Sequence, residues 1–223
     1  MSLELSGTTP AIKGVAGSVS APAITGDDAD TGISFPSANT IKFSTNGVER
    51  MSITNTGVSG TGVGGKIKQW VSTTKKGATS FSVASGAISH YTDSTLRVTI
   101  TPTSASNFLY IMGHVTVGVQ LVNFMHVGIG KDGAEFTQAI GDASSNRRRC
   151  TAAASNVYTD MPVPVPFHAK VTAENTSERY YNLSFSHGSN STRTIYLNRG
   201  SSDVDSSHYP RGISTITVIE VEP

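Results

Sequence analysis

A chain of 223 residues can bury a real core in one or two domains. Its formal net charge of +1, with only 15% charged residues, excludes a basic footprint for nucleic acid or an anionic membrane surface. The single cysteine, Cys150, excludes an internal disulfide framework and a thiolate zinc site, leaving a lone thiol that is buried or partly exposed.

Ser and Thr are abundant and Gly numbers 22, a bias that suits exposed β-structure with many turns. No window keeps an i, i+3, i+4, i+7 apolar pattern over three turns. The expected fold is therefore all-β. No charged segment followed by a short apolar run opens the chain, and no apolar run approaches a membrane span. Synthesis in a cytoplasm without a cleavable signal, and no membrane insertion, are the expectations. The Asn-x-Ser/Thr triplets at Asn175, Asn182 and Asn190 then carry no meaning.

In chain order, residues 1–25 alternate weakly around Gly7, Pro10, Gly14, Gly17 and Pro22. Such a segment cannot offset its ordering entropy by burial, so it reads as an extended arm that orders on a larger assembly, or as a floppy terminus. Asp27, Asp28 and Asp30 follow, with a spacing that fails the EF-hand template and fits a turn whose Asp side chains cap backbone N–H groups. Ile41-Lys42-Phe43-Ser44-Thr45 and Val48-Glu49-Arg50-Met51-Ser52-Ile53 alternate on either side of Asn46-Gly47. Asn-Gly supplies the two positive φ angles of a two-residue turn, so residues 26–56 centre on a β-hairpin. A two-stranded ribbon is marginal alone, and something else must cover it. Residues 57–65, rich in glycine, read as a linker.

From Lys66 the strands lengthen. Segments at 67–71, 81–83, 96–100, 108–122, 125–129, 134–140, 163–173, 180–186, 192–197 and 213–221, separated by turn clusters, predict a jelly-roll-like β-sandwich over 66–223. The loops at 141–146 and 198–210 are long for this class, and long loops on a rigid scaffold are where binding residues collect.

Asp27-Asp28-Ala29-Asp30-Thr31-Gly32-Ile33-Ser34-Phe35-Pro36, continuing as Asn39-Thr40-Ile41-Lys42-Phe43 to Ile53, resembles a segment that recurs in bacteriophage tail-fibre proteins and other virion appendages. Tyr209-Pro210-Arg211-Gly212-Ile213 to Val221 is similar to the closing strand of phage fibre head domains. The resemblance implies a homotrimer in the virion, joined to other virion structural proteins through its N-terminal arm and trimerised through the 26–56 hairpin segment, whose strand edges the neighbouring subunits would cover, with a non-enzymatic head that binds a host-surface glycan or protein. A short tail fibre fits this plan; a capsid decoration or head-fibre protein shares it. A carbohydrate-active enzyme on host polysaccharide is the alternative from another class.

The sequence nominates no catalytic residue, cofactor or metal ligand. No Gly-x-Ser-x-Gly elbow, carboxylate pair or solenoid repeat is visible. The six histidines show neither His-x-His nor His-x-x-x-His spacing, and His114 and His126 read as hydrogen-bonded strand histidines. Lys66, Lys68, Lys75 and Lys76 near Trp70 could track a single strand of nucleic acid, a reading the overall charge disfavours. Arg147, Arg148 and Arg149 are the densest charge and are candidates for gripping an anionic sugar or phosphate; a solvated strand start or pairing with a neighbouring subunit stays open. Tyr158 and Tyr209 are candidates for stacking on sugars, whereas at least two of Tyr158, Tyr180, Tyr181 and Tyr209 belong to a core or an interface.

Overall fold

The computed structural model describes residues 16–60, 66–121 and 123–223. Most of the expected arm, residues 1–15, and the glycines at 62, 64 and 65 lie outside the described residues. The chain divides into two compact units, Met1–Lys66 and Ile67–Pro223. The fold is all-β: among the described residues the helical elements are short 3-10 turns at Ser94–Leu96 and Thr137–Ala139. No helix among them is long and apolar enough to cross a membrane.

In the first unit, β1 (Ile24–Thr25), β2 (Gly32–Ser34), β3 (Ile41–Thr45), β4 (Val48–Thr54) and β5 (Gly57–Ser59) form one antiparallel meander in that order. The predicted hairpin is β3–β4, with Ile41 opposite Ile53 and Thr45 opposite Val48. Asn46 and Gly47 take φ of 52° and 67°, the signature of a type I′ turn. A bulge between Phe43 and Ser44 sharpens the local twist. The hairpin's outer edges pair with β2 and β5, so the chain itself covers edges that the sequence alone would leave to a neighbouring subunit. Gly57–Ser59, read as the start of a linker, is strand because it continues that pairing from Thr54. The preceding turn has the expected Asp chemistry: Asp28 Oδ2 accepts from Thr31 Oγ1 at 2.6 Å, and Asp28 Oδ1 accepts from Asp30 N at 3.3 Å.

Register sorts this sheet into two unlike faces. Ile24, Ile33, Phe43 and Met51 stand in one cross-strand row, and Ile41, Ile53 and Val58 in the next on the same face. Ser34, Lys42, Ser52 and Ser59 line the other. Gly47→Val should cost the unit about 1–2 kcal/mol, because the β-branched side chain meets the left-handed penalty. Faster hydrogen exchange at the Phe43 and Met51 amides of the full chain is the readout.

The second unit is a β-sandwich. Its first sheet runs β6 (Ile67–Lys75), β17 (Ser214–Val221), β10 (Phe108–Val119), β14 (Val163–Thr172), and the far end of β10 also pairs with β16 (Arg193–Leu197), which carries β7 (Thr79–Val83). Pro164 and Pro166 are tolerated because β14 is an edge strand. The second sheet is centred on β11 (Phe124–Lys131) and β15 (Arg179–His187). β8 (Ser89–Tyr91) and β9 (Arg97–Ile100) pair with the outer edge of β15; β12 (Ala134–Glu135) and β13 (Ala152–Ser155) pair with that of β11.

Alternation places the core between these sheets. Leu109, Ile111, Val115 and Val117 of β10, with Ile216 and Val218 of β17, join Met125, Val127 and Ile129 of β11 and Tyr181, Leu183 and Phe185 of β15 in one buried cluster. Each such side chain contributes about 1.5–3 kcal/mol of burial against the entropy of ordering it. Gly113 faces inward on β10 and leaves the space that the Phe167 ring occupies. A Cβ there would also overlap the Thr215 carbonyl oxygen.

Candidate functional site

The five candidate residues from the sequence fall in two places. Tyr158 and Tyr209 lie on loops at the end of the sandwich where β10 stops and β11 begins; Arg147, Arg148 and Arg149 lie beside the outer face of the second sheet.

At the end of the sandwich, loop 156–162 follows β13 and loop 198–213 precedes β17. They are tied together: Ser201 N donates to Thr159 O at 2.9 Å and Ser202 Oγ to Asp160 Oδ1 at 2.5 Å. A Cβ at Gly200 would overlap the Asp160 carbonyl oxygen, so the glycine permits that close approach. Asn198 anchors the second loop, donating to Lys75 O at 2.9 Å and Gly77 O at 3.1 Å while accepting from Ser214 Oγ at 2.6 Å. Arg211 and Asp203 close it with an exposed ion pair at 2.5 Å.

Asn156 does the same for the turn from β10 to β11. Its side chain is fully buried, donates to Val119 O and Leu121 O at 3.1 Å each, and accepts from Asn123 N at 2.9 Å. Leu121 is thereby held at φ 65°, a conformation that an L side chain rarely adopts. On these anchored backbones stand exposed apolar side chains: Phe124 at 64% exposure, Tyr158 at 70%, with Leu121, Val157, Met161 and Val204. Tyr209 is half-buried, its N–H donating to Ser206 O at 3.0 Å.

On the second sheet, the outward residues of β11 and β15 are small and polar: His126 opposes Ser186 and Gly128 opposes Ser184. The missing side chains at Gly128 leave room for the segment 136–150 to fold across, with Ile140 over Gly128. Thr151 fastens that segment, its Oγ1 donating to Ala139 O at 2.6 Å and accepting from Ile129 N at 3.0 Å. The resulting depression is lined by His126, Glu135, Arg149, Cys150 and Ser186, and an adjoining one by Glu135, Ser145, Asn146 and the three arginines. Arg148 donates to Gly86 O and Arg149 Nε to Gly141 O at 2.7 Å, so each spends part of its fork on the protein.

The chemistry of the depression is quiet. Burial, reinforced by the Arg148 charge, holds the His126 imidazole below its ordinary pKa, and burial raises the Cys150 thiol above its own. A protonated thiol is a poor nucleophile. His126 Nδ1 lies 3.3 Å from Ser186 Oγ, the structural hydrogen bond expected for a strand histidine, and Ser186 is buried beneath the crossing segment. Among the described residues no group of three or more His, Cys, Asp or Glu converges to hold a metal ion.

No protein-family model matches this chain, and no curated protein matches it.

The remaining tyrosines sort by face. Tyr181 is in the core, where burial pushes its phenol up to about 12, and the Tyr180 ring carries the Arg97 guanidinium 4.5 Å from its centroid. The basic run near Trp70 is dispersed: Lys75 is buried and donates to Thr95 Oγ1 at 3.0 Å, and Lys68 pairs with Glu222 at 2.7 Å. Sequence reading missed Asn156 and Phe124. Neither lies in a recognisable pattern; only the pairing of β11 with β13 brings them together.

Proposed function

We propose that the chain is a non-enzymatic structural component of a bacteriophage virion, a homotrimeric short tail fibre whose sandwich is the host-binding head. The observation that carries the reading is the set of exposed apolar and aromatic side chains, Phe124 and Tyr158 foremost, on end loops fixed by buried asparagines. Pre-ordered loops contact a ligand without a further ordering cost, and flat aromatic faces suit sugar rings as well as protein. Arg147, Arg148 and Arg149 add partly free cationic groups for an anionic host glycan. The five-stranded unit has one face of isoleucine, phenylalanine, methionine and valine, which favours assembly between copies, and it follows in sequence the arm that would join other virion proteins. Three heads of modest affinity would then act together through their high effective concentration.

The test is labelled full-length chain on a panel of intact bacterial cells. Wild type should decorate at least one strain, and the double variant Phe124→Ser, Tyr158→Ser should bind it at least about tenfold more weakly, as for loss of central aromatic anchors. Undiminished binding by the double variant would sink the end-loop assignment. Antibody labelling of intact particles should mark the tail; label on the capsid would move the chain to a decoration role.

A further inference from the structure

The outer face of the first sheet is mainly apolar in the two rows at one end and mainly Ser, Thr and His in the two rows that follow. Register places Trp70, Ile219, Tyr110 and Lys170 in one row across β6, β17, β10 and β14. The next row holds Ile67, Val221 and Phe108. Trp70 is 66% exposed and Ile67 53%, although both stand beside other apolar side chains. Leaving them in water forgoes the burial that every inward residue of the same strands obtains.

The hydroxyls that β6 and β17 present on this face are already occupied. Ser72 Oγ lies 2.8 Å from Thr217 Oγ1 and Thr74 Oγ1 3.0 Å from Thr215 Oγ1, each pair satisfying itself across β6 and β17. Lys170 Nζ sits 3.7 Å from the Phe108 ring centroid, and His168 stacks on Tyr110 with centroids 6.1 Å apart. A sugar or a peptide strand needs groups free to hydrogen-bond its polar edges, and these rows offer few. They suit another flat apolar face.

Size and charge favour a particular occupant. Four strands about 4.8 Å apart and about nine residues long at 3.4 Å per residue present roughly 500 Å² in projection. Two such faces together remove roughly 1,000 Å², the lower bound for a specific interface. A net charge of +1 opposes the approach of identical chains only weakly. We propose that the outer face of the first sheet, centred on Trp70, Tyr110 and Ile219, is covered by a second copy of this chain. The proposal rests on the reading of the chain as a homo-oligomer and names a contact through which two heads meet; a face packed on its own copy is a twofold contact, which pairs copies and does not itself close a trimer.

Trp70 is the only tryptophan, so its fluorescence reports on this face alone. The experiment combines light scattering with iodide quenching of the full chain, for wild type and for Thr217→Arg, whose outward side chain would place a charge in the contact. Ser72→Arg, at an exposed position, serves the same purpose if Thr217→Arg fails to fold by circular dichroism. The expected result is a mass that is a multiple of 23.3 kDa, with Trp70 quenched at least about threefold less than free tryptophan and the protection lost in the arginine variant. An oligomer whose Trp70 is quenched like free tryptophan, or whose protection survives the arginine, overturns this face while leaving homo-oligomerisation standing. A monomer overturns both. Protection that appears only when bacterial lipopolysaccharide is added to a monomer reassigns the face to a glycan and also overturns the proposal.

Discussion

Glu220→Ala should destabilise the sandwich by about 3 kcal/mol, the upper end for loss of hydrogen bonds to a charged group. Glu220 points inward from the last strand and is fully buried, yet its carboxylate is well solvated by protein. Asn107 Nδ2 and Gln69 Nε2 each donate at 2.6 Å, Thr103 N at 2.7 Å and Thr103 Oγ1 at 2.8 Å. These donors come from β6 and from the connection between β9 and β10, so one carboxylate closes the end of the sandwich opposite the candidate loops. Alanine takes this acceptor from all four: Gln69 Nε2 keeps Thr101 O and Asn107 Nδ2 keeps Thr103 Oγ1, but the Thr103 N–H is left without a partner. Glutamine keeps the shape but turns an amide N–H₂ towards donors, and should cost about 2 kcal/mol.

The same network fixes a pH dependence. Burial pushes the Glu220 carboxyl up, but the hydrogen bonds from Asn107, Thr103 and Gln69 together outweigh it and hold the group below its ordinary 4.5. A carboxyl whose folded pKa is depressed contributes stability that is complete above the unfolded value and is lost as pH falls through the folded one. Urea midpoints should therefore separate wild type from Glu220→Gln most widely at neutral pH. The gap should narrow progressively as pH falls below 4.5, the ordinary value of the carboxyl. A gap independent of pH would mean that the carboxylate is not ionised in the folded state.

What the sequence made legible follows from the range of each interaction. The Asn46-Gly47 turn was readable because positive φ at both positions is a local demand that few residue pairs meet. The long strands β10, β14 and β17 were readable because one face is buried and alternation survives over eight or more residues. Ala152–Ser155 was invisible as a strand, since three alanines carry no alternation and low β-propensity; it is strand only because β11 lies beside it. The sequence predicts one strand over Ala134–Ile140, but only Ala134–Glu135 pairs, and the chain turns at Thr137–Ala139 to cross the sheet. Arginines and tyrosines could be nominated by type. Their separation into a sheet-side depression and an end-loop cluster depends on topology, which residue type does not encode.

Asn156→Ala should show how far the candidate loops depend on a residue that no local pattern singles out. Its carboxamide makes three hydrogen bonds to the β10–β11 connection, two of them holding the Val119 and Leu121 carbonyls. Without it, two carbonyls and the Asn123 N–H lose their partner, and the strained φ of Leu121, at about 1–2 kcal/mol, has nothing to hold it. A loss of about 2–3 kcal/mol is expected in urea unfolding, with faster hydrogen exchange at the Asn123 amide. Aspartate should be no better than alanine: a carboxylate has no N–H for the two carbonyls and would bring a buried charge against them. Because the same connection presents Leu121 and Phe124, cell binding should fall at least about tenfold in both variants under conditions where the sandwich stays folded. Binding that persists at wild-type strength despite the faster exchange would mean that contact with the host does not pass through this connection. The partly free arginines beside the second sheet would then become the better candidates for that contact.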